Sequence, residues 1–289
     1  MDTLTPDPSH DKAQTLHRLH DGSKPLVLVN AWDAGSARVI ERAGAGAIAT
    51  TSAGMAWSLG YADGEQIPRD EFLSACSRIC RATRLPVSVD IERGFGCSVD
   101  DVRELVRALI GLGVVGVNIE DGVAPDTQTL RPADAVCERI AALRELAARA
   151  RLHLFINART DAYLGGTDDS ARRFDEALRR ARLFAHAGAD GIFVPGLFQL
   201  DDVTRLASEI ALPLNIYAGH RGVPNVAALA AAGVRRISLG CGPLQSALGL
   251  LERIATETLQ FGRCDTMVAG MADAGELNRL FSLPQPTHE

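Results

Sequence analysis

Acidic side chains and one arginine follow three apolar stretches of the chain, and together they could bind a divalent cation and a carboxylic acid. Asp90 and Glu92 end PVSVDIE, Glu120 ends GVNIE, and Arg159 follows LHLFINA. Hard cations such as Mg²⁺ prefer carboxylate oxygens, and an arginine can hold a carboxylate through two parallel hydrogen bonds. Residues two apart on a strand share a face, so Asp90, Glu92 and Glu120 are predicted to converge on Mg²⁺, with Mn²⁺ as a second option.

Other interpretations of these residues stay open at this stage. The carboxylates could cap the following helices or pair with Arg93 and Arg159, and Arg159 could form a structural ion pair with Asp161. The small turn TTSAG, at Thr51, Ser52 and Ala53, offers backbone N–H groups and hydroxyls that could cradle an oxyanion. Small polar turns are common, so this signal is weak by itself.

The elements that would position these residues follow a loose internal repeat. Four times a helix-like stretch ends in glycine and continues into a short apolar strand, at 43–52, 111–121, 187–196 and 231–240. Filling the gaps predicts eight strands, at 26–30, 47–51, 86–92, 116–120, 152–158, 191–195, 213–217 and 235–239. Apolar periodicity predicts helices at 68–83, 99–111, 132–150, 169–187, 243–260 and 273–282. This alternation favours an α/β fold, a (β/α)8 TIM barrel, over an open doubly wound sheet.

Composition limits the function classes. The chain has 30 Lys and Arg against 36 Asp and Glu, a net charge of −6, which argues against a nucleic-acid binder. The sequence contains neither an apolar run long enough for a transmembrane helix nor the pattern of a signal peptide. Six cysteines form no CxxC pair, so we expect a reduced, cytoplasmic protein that does not contact a membrane.

Several other polar residues are predicted to be structural. His153 and His186 are expected to pack against neighbouring residues or to cap a helix. His220 is a less favoured candidate for a residue at the rim of the site. The arginine run at 172–182 is typical of a solvated helix face. No Walker-type loop, GxSxG or HExxH motif is present.

The motifs resemble those of the isocitrate lyase/phosphoenolpyruvate mutase superfamily, which includes phosphonopyruvate hydrolases, methylisocitrate lyases and oxaloacetate decarboxylases. The matching stretches are NAWDAGSARVIERAGAGAIATTSAG, SLGYADGE, VSVDIERGFG, VNIEDG, NARTDAYL, AGADGIFVPG and PLNIYA, and they follow the family order over about residues 25–255.

The resemblance implies a TIM barrel that binds Mg²⁺ and an α-oxo carboxylic acid. Carried over by motif, it implies metal ligation by Asp63, Asp90, Glu92 and Glu120, partly through water. It implies a substrate site of Thr51, Ser52, Ala53, Asp90, Arg159 and Asn215, and Asp63, Glu120 and Arg159 are the catalytic candidates.

The chain also departs from the family pattern. Glu92 is one methylene longer than the usual aspartate, and EDGVAPDTQTLRP (120–132) lacks the lysine, cysteine or histidine of the family's proton-transfer loop. The predicted function is therefore a Mg²⁺-dependent carbon–carbon lyase or decarboxylase. Its substrate would be an α-keto or 2-hydroxy di- or tricarboxylic acid, which reacts through an enolpyruvate-like intermediate. A carbon–phosphorus bond enzyme and a non-catalytic α-keto acid-binding protein are the alternatives.

The chain is predicted to divide into a polar N-terminal segment (1–22), the catalytic barrel (23–260) and a C-terminal helical tail (261–289). Leu244, Leu248, Leu251 and Ile254 form a helical stripe that could pack on the chain's own barrel or on a partner. The family commonly exchanges its eighth helix between subunits. The resemblance therefore implies a homo-oligomer, a tetramer or a dimer, with helix exchange.

Overall fold

The computed structural model describes residues 8–122, 129–165 and 169–282, and in it parallel strands alternate with helices. The strands are β1 (Leu26–Leu28), β2 (Asn30–Ala31), β3 (Ile48–Thr50), β4 (Val87–Asp90), β5 (Gly116–Glu120), β6 (Phe155–Arg159), β7 (Gly191–Phe193), β8 (Leu214–Tyr217) and β9 (Arg236–Ser238). The helices are α1 (Pro8–Asp21), α2 (Ala34–Arg42), α3 (Ser52–Ser58), α4 (Arg69–Ala82), α5 (Val99–Gly111), α6 (Ala133–Arg149), α7 (Ser170–Ala187), α8 (Leu200–Glu209), α9 (Val226–Ala231), α10 (Gly242–Phe261), α11 (Asp265–Gly270) and α12 (Ala274–Ser282).

The sheet closes into a barrel because β1 and β2 are two halves of one strand. Only Val29 separates them; β1 pairs in parallel with β9, and β2 pairs in parallel with β3. Every other strand pairs with its sequence neighbour, also in parallel. The predicted eight-stranded barrel is thereby confirmed, and the open doubly wound sheet is excluded.

Glycine helix stops explain the internal repeat. Gly44, Gly113, Gly188 and Gly233 each follow a helix with a φ between 87° and 109°, a left-handed conformation that other residues rarely adopt. Each glycine reverses the chain into the next buried strand. Each of the four repeat segments is thus one helix-to-strand turn of the barrel, as predicted.

The inner face of the barrel is polar. On β5, Val117 and Ile119 alternate with Asn118 and Glu120, and all four are buried. The apolar members belong to the hydrophobic core between the strands and the surrounding helices. The polar members face the barrel axis, where they must be satisfied by hydrogen bonds to other strands.

Helix α1 closes the amino-terminal end of the barrel and was not predicted. Leu16 is fully buried, and the ring of His20 stacks on Phe155 with the centroids 3.9 Å apart. A Cβ atom on Gly116 would lie 2.8 Å from Leu16 Cδ2, so the glycine gives the helix room to approach the strands. The predicted polar segment, of which residues 1–7 lie outside the described part, therefore contains a helix with one buried face.

The C-terminal extension begins with α10, a 20-residue helix in which Leu244 is the only buried residue. Leu248 and Leu251 from the predicted stripe are 45% and 60% exposed. Helix α12 returns to the barrel, where Arg38 donates a hydrogen bond to the carbonyl of Leu280. Exchange of α10 between subunits stays a prediction, as do the domain boundaries, and residues 283–289 lie outside the described part. Within the described ranges, no helix has both the length and the apolar character to cross a bilayer.

Candidate active site

A cavity of about 200 Å³ opens at the carboxyl ends of the strands, the end at which TIM-barrel active sites form. Its lining draws on most of the strands and on the turns after them: Asn30, Thr50, Thr51, Ser52, Ala53, Asp63, Asp90, Asn118, Arg159, Leu164, Phe193, Pro195, Tyr217, Ser238, Gly240 and Cys241. Six of the predicted site residues lie in this lining: Thr51, Ser52, Ala53, Asp63, Asp90 and Arg159. Glu92, Glu120 and Asn215 do not.

The turn after β3 is held against Asp90. The backbone N–H of Asp90 donates to the Thr50 hydroxyl at 2.9 Å, and the Ser52 N–H lies 3.4 Å from Asp90 Oδ2. A Cβ atom on Gly54 would lie 2.5 Å from the Thr51 side chain, so only glycine allows α3 to begin this close to the strand. This packing places the first N–H groups of α3 beside a buried carboxylate.

Asp63 joins Asp90 in the cavity from the loop between α3 and α4. Partial burial, followed by the nearby Asp90 carboxylate, raises the pKa of Asp63. Like charges this close repel each other, so a cation would be stabilised between Asp63 and the buried Asp90.

Glu92 is not part of the cavity lining, and its carboxylate contacts Glu65. Its Oε1 atom accepts a hydrogen bond from the Glu65 N–H at 3.0 Å, and its φ of 49° lies in the left-handed region. Burial, followed by the Asp90 carboxylate, raises the pKa of Glu92 to about 8. Glu65 in turn pairs with Arg93 at 2.9 Å, so this end of the SLGYADGE loop is fastened to the end of β4. The sequence analysis gave no role to Glu65.

Arg159 contacts two carboxylates while it lines the cavity. Its Nη1 lies 2.8 Å from Glu120 Oε2, and its Nε lies 2.6 Å from Asp161 Oδ1. Burial alone would lower the pKa of Arg159, but Glu120 and Asp161 outweigh it and raise the value. The ion pair between Arg159 and Asp161, which the sequence left as an alternative, is therefore present. Arg159 lines the cavity at the same time.

Glu120 is bound on one side by Arg159. Its Oε2 forms the ion pair with Arg159 Nη1 at 2.8 Å and accepts no further aligned hydrogen bond from the described residues. Burial raises the pKa of Glu120 even though Arg159 opposes the shift. A buried carboxylate oxygen without an aligned donor has a lone pair available for a ligand or an ion.

A buried ion-pair chain supports Arg159 from behind. Asp161 donates its N–H to Asp121 Oδ1 at 2.8 Å, and Arg180 Nη1 donates to Asp121 Oδ2 at 3.1 Å. Arg180 also donates to the carbonyl of Arg131 at 2.8 Å and is only 5% exposed. The expectation that the whole arginine run is solvated is thus wrong at Arg180, because this residue points inward while Arg179 and Arg182 face outward.

Asn215 lies beneath the cavity in a polar layer of the barrel. It is fully buried, accepts a hydrogen bond from Asn157 at 3.1 Å and donates to the Ser238 hydroxyl at 3.0 Å. Asn118, which does line the cavity, accepts from Asn157 at 2.9 Å and from Arg236 at 3.1 Å. This placement favours a supporting role for Asn215 over the predicted contact with a substrate carboxylate.

The sequence analysis missed Arg236, which carries a positive charge into the barrel interior. It is 1% exposed, and burial lowers its pKa to about 10. Its position next to a second arginine in the segment VRRISL gave no sign of which side chain would face inward.

The donor set fits a hard divalent cation. Asp63, Asp90 and Glu120 offer only oxygen atoms, the ligands that suit Mg²⁺ or Mn²⁺. Among the described residues, the only group of three with ligand atoms mutually within 4.8 Å is His17, His153 and Asp190, at the opposite end of the barrel. The carboxylates at the cavity are more widely spaced, so we expect water to bridge some of them to an ion, a mode that Mg²⁺ favours.

The closed parallel barrel thus carries an acidic cluster around one arginine at the carboxyl ends of its strands, where TIM-barrel enzymes have their active sites. The family profile of phosphoenolpyruvate phosphomutase matches residues 16–259, and the chain belongs to this family. The superfamily predicted from the motifs is confirmed, as is the prediction of an enzyme of lyase type.

The relatives carry several activities. An uncharacterised protein of Mycobacterium tuberculosis H37Rv is 34% identical, over 81% of this chain and 84% of the relative. The 2-methylisocitrate lyase of Aeropyrum pernix is 31% identical, over 74% of this chain and 68% of the enzyme. The oxaloacetate decarboxylase of Bradyrhizobium sp. BTAi1 is 29% identical, over 82% and 81%.

Solved structures show the same fold. A Burkholderia cenocepacia protein provisionally assigned as a phosphonomutase is 43% identical, with a TM-score of 0.81 over 85% of this chain and 99% of that one. A second protein of the same organism, provisionally a lyase or mutase, is 34% identical with a TM-score of 0.89 over 96% and 99%. A phosphonopyruvate hydrolase in complex with oxalate and Mg²⁺ has a TM-score of 0.81 at 23% identity, over 93% and 94%.

Proposed function

We propose that this protein is a Mg²⁺-dependent carbon–carbon lyase or decarboxylase that acts on a small α-keto or 2-hydroxy dicarboxylic acid. The observation that carries the proposal is the cavity in which Arg159 lies beside buried carboxylates. The relatives include lyases and a decarboxylase, which supports the same reaction class.

The size of the cavity favours a small substrate. Its volume of about 200 Å³ is below the roughly 300–1,000 Å³ of pockets for drug-sized ligands. A four-carbon keto acid fits this space better than a tricarboxylic acid. We therefore expect oxaloacetate or a close analogue to be turned over faster than 2-methylisocitrate.

The residues that line the cavity, with Glu120 beside it, divide the tasks of this reaction. Asp63, Asp90 and Glu120 would hold Mg²⁺, which supplies stabilisation for negative charge that develops on the substrate oxygens. Arg159 is proposed to bind a substrate carboxylate, held in orientation by Asp161. The N–H groups at Ser52 and Ala53 would hold a second oxygen of the acid. When the carbon–carbon bond breaks, its electron pair moves toward the keto oxygen and CO₂ leaves without a general base.

The proposal is tested with purified protein, Mg²⁺ and three acids: oxaloacetate, 2-methylisocitrate and phosphonopyruvate. We expect pyruvate from oxaloacetate, loss of the reaction with EDTA, and its recovery with added Mg²⁺ or Mn²⁺. Phosphate release from phosphonopyruvate alone would instead select the carbon–phosphorus activity, the alternative favoured by the 43% identical Burkholderia protein. Oxalate binding with no turnover of any acid would indicate a keto acid-binding protein.

A further inference from the structure

The wall of the cavity formed by β8 and the turn after β9 contains a thiol and a phenol. Tyr217 ends β8, and Cys241 follows the turn after β9 and caps the amino end of α10; both line the cavity. The reaction proposed above ends with a proton transfer to carbon. Segment 120–132 offers no lysine, cysteine or histidine for it.

Close packing holds Tyr217 in place. A Cβ atom on Gly240 would lie 2.8 Å from Tyr217 Cε2, and Gly240 has a φ of 52°, so the tyrosine ring rests on the backbone of the turn. The ring of His220 lies on another side, with the centroids 4.8 Å apart. The phenol therefore has a fixed position next to Cys241, the residue that follows the glycine.

The two groups lie side by side in this wall of the cavity. The Tyr217 hydroxyl opposes the rise in the pKa of the Cys241 thiol that burial causes, and so favours the thiolate. Burial, and after it the neighbouring Cys241, raises the pKa of the Tyr217 hydroxyl. At neutral pH the sulfur therefore carries a proton, and a donor is already in place to stabilise the charge left when that proton departs.

We propose that Cys241 is the catalytic proton donor to carbon and that Tyr217 is its positioning residue. This assignment rests on the proposed lyase or decarboxylase function. After CO₂ leaves, the electron pair of the enolate carbon–carbon double bond forms the new C–H bond with the thiol proton. The S–H bond breaks, its electron pair stays on sulfur as a thiolate, and Tyr217 donates to that thiolate until water returns the proton.

The first test measures binding without turnover. Iodoacetamide alkylation of each cysteine is followed by mass spectrometry, with and without Mg²⁺ and oxalate. Exposed Cys264 in the C-terminal extension is the internal control. We expect oxalate to slow alkylation of Cys241 at least tenfold and to leave Cys264 unchanged. If calorimetry shows oxalate binding but Cys241 is not protected, Cys241 does not face the substrate and the assignment fails. If oxalate does not bind at all, the proposed function fails, and the assignment fails with it.

The second test follows the proton. A single C3 enantiomer of oxaloacetate that carries one deuterium and one tritium at C3 is generated in situ and decarboxylated in water, and the chirality of the methyl group of pyruvate is measured. The wild-type protein should give one enantiomer in excess. Cys241→Ala should still bind oxalate but release CO₂ more slowly and give racemic methyl groups, and Tyr217→Phe should reduce the excess. An unchanged excess in Cys241→Ala would overturn the assignment, because a merely structural cysteine would not select the face of protonation.

Discussion

Two neighbouring arginines on α7 should differ widely in their contribution to stability. Arg180 is 5% exposed and pairs with the fully buried Asp121 as well as with Glu176. The Arg179 side chain is 52% exposed, and its ion-pair partner among the described residues is Glu176. We consider the substitutions Arg180→Met and Arg179→Met, which remove the same charge from adjacent positions of one helix. The second is the matched control for the first.

The expected magnitudes follow from what each substitution leaves behind. Arg180→Met leaves the Asp121 carboxylate buried without its cation, which costs about 3–5 kcal/mol. Arg179→Met breaks an exposed pair, for which roughly 0–1 kcal/mol is expected. Replacing both Arg180 and Asp121, the latter by Asn, should recover part of the loss, because the uncompensated charge is then absent.

Urea denaturation followed by circular dichroism measures both variants. We expect a lower midpoint for Arg180→Met at an unchanged dependence on urea, and a near-normal midpoint for Arg179→Met. Oxalate binding should weaken as well in Arg180→Met, since Asp121 orients Asp161 and thereby Arg159. Equal stability of the two variants would refute the reasoning, because it would mean that the buried pair contributes no more than an exposed one.

Further predictions concern the site, the barrel floor and the assembly. Asp90→Ala should abolish Mg²⁺-dependent oxalate binding in calorimetry and leave the circular dichroism spectrum intact; unchanged affinity would remove Asp90 from the site. Arg159→Lys should cost about 2–5 kcal/mol of substrate binding, because lysine cannot form the paired hydrogen bonds; a near-normal kcat and KM would contradict this. Burial lowers the pKa of His20 to about 3, so below pH 6.5 the unfolded chain binds a proton that the native chain does not. Between neutral pH and pH 5 the free energy of unfolding should therefore fall by about 2 kcal/mol more than it does in His20→Phe. Parallel pH profiles of the two proteins would contradict this. Leu248 and Leu251 are exposed in one chain, so light scattering should give the mass of a tetramer; a mass near 30.8 kDa would refute this. Removal of residues 243–289 should give insoluble protein, and a soluble truncation that unfolds cooperatively would refute that expectation.

The sequence by itself predicts the barrel because the signals for the barrel are local. Gly113 and Gly188 end helices in a left-handed conformation that glycine readily adopts. The runs after them are mostly apolar, as expected of strands in a buried parallel sheet. The placement of Asp90 and Arg159 at one rim follows from the same signals, since the carboxyl ends of all strands in a parallel barrel meet there. The family motifs supplied Asp63, which no local pattern indicated.

Only the tertiary structure decided which side chains face which neighbours. Glu92 shares a strand end with Asp90, but its backbone turns left-handed and it binds Glu65, a contact across 27 positions of sequence. Arg180 and Arg236 lie in runs of arginine where composition makes every member look exposed, and their burial depends on partners distant in sequence, Asp121 just after β5 and Asn118 on β5. The proximity of Tyr217 and Cys241 likewise depends on how the end of β8 meets the turn after β9 at the rim. Periodicity assigns a residue to a face of its own element, whereas hydrogen-bond partners and local electrostatics depend on elements distant in sequence, so these contacts emerge only when the barrel closes.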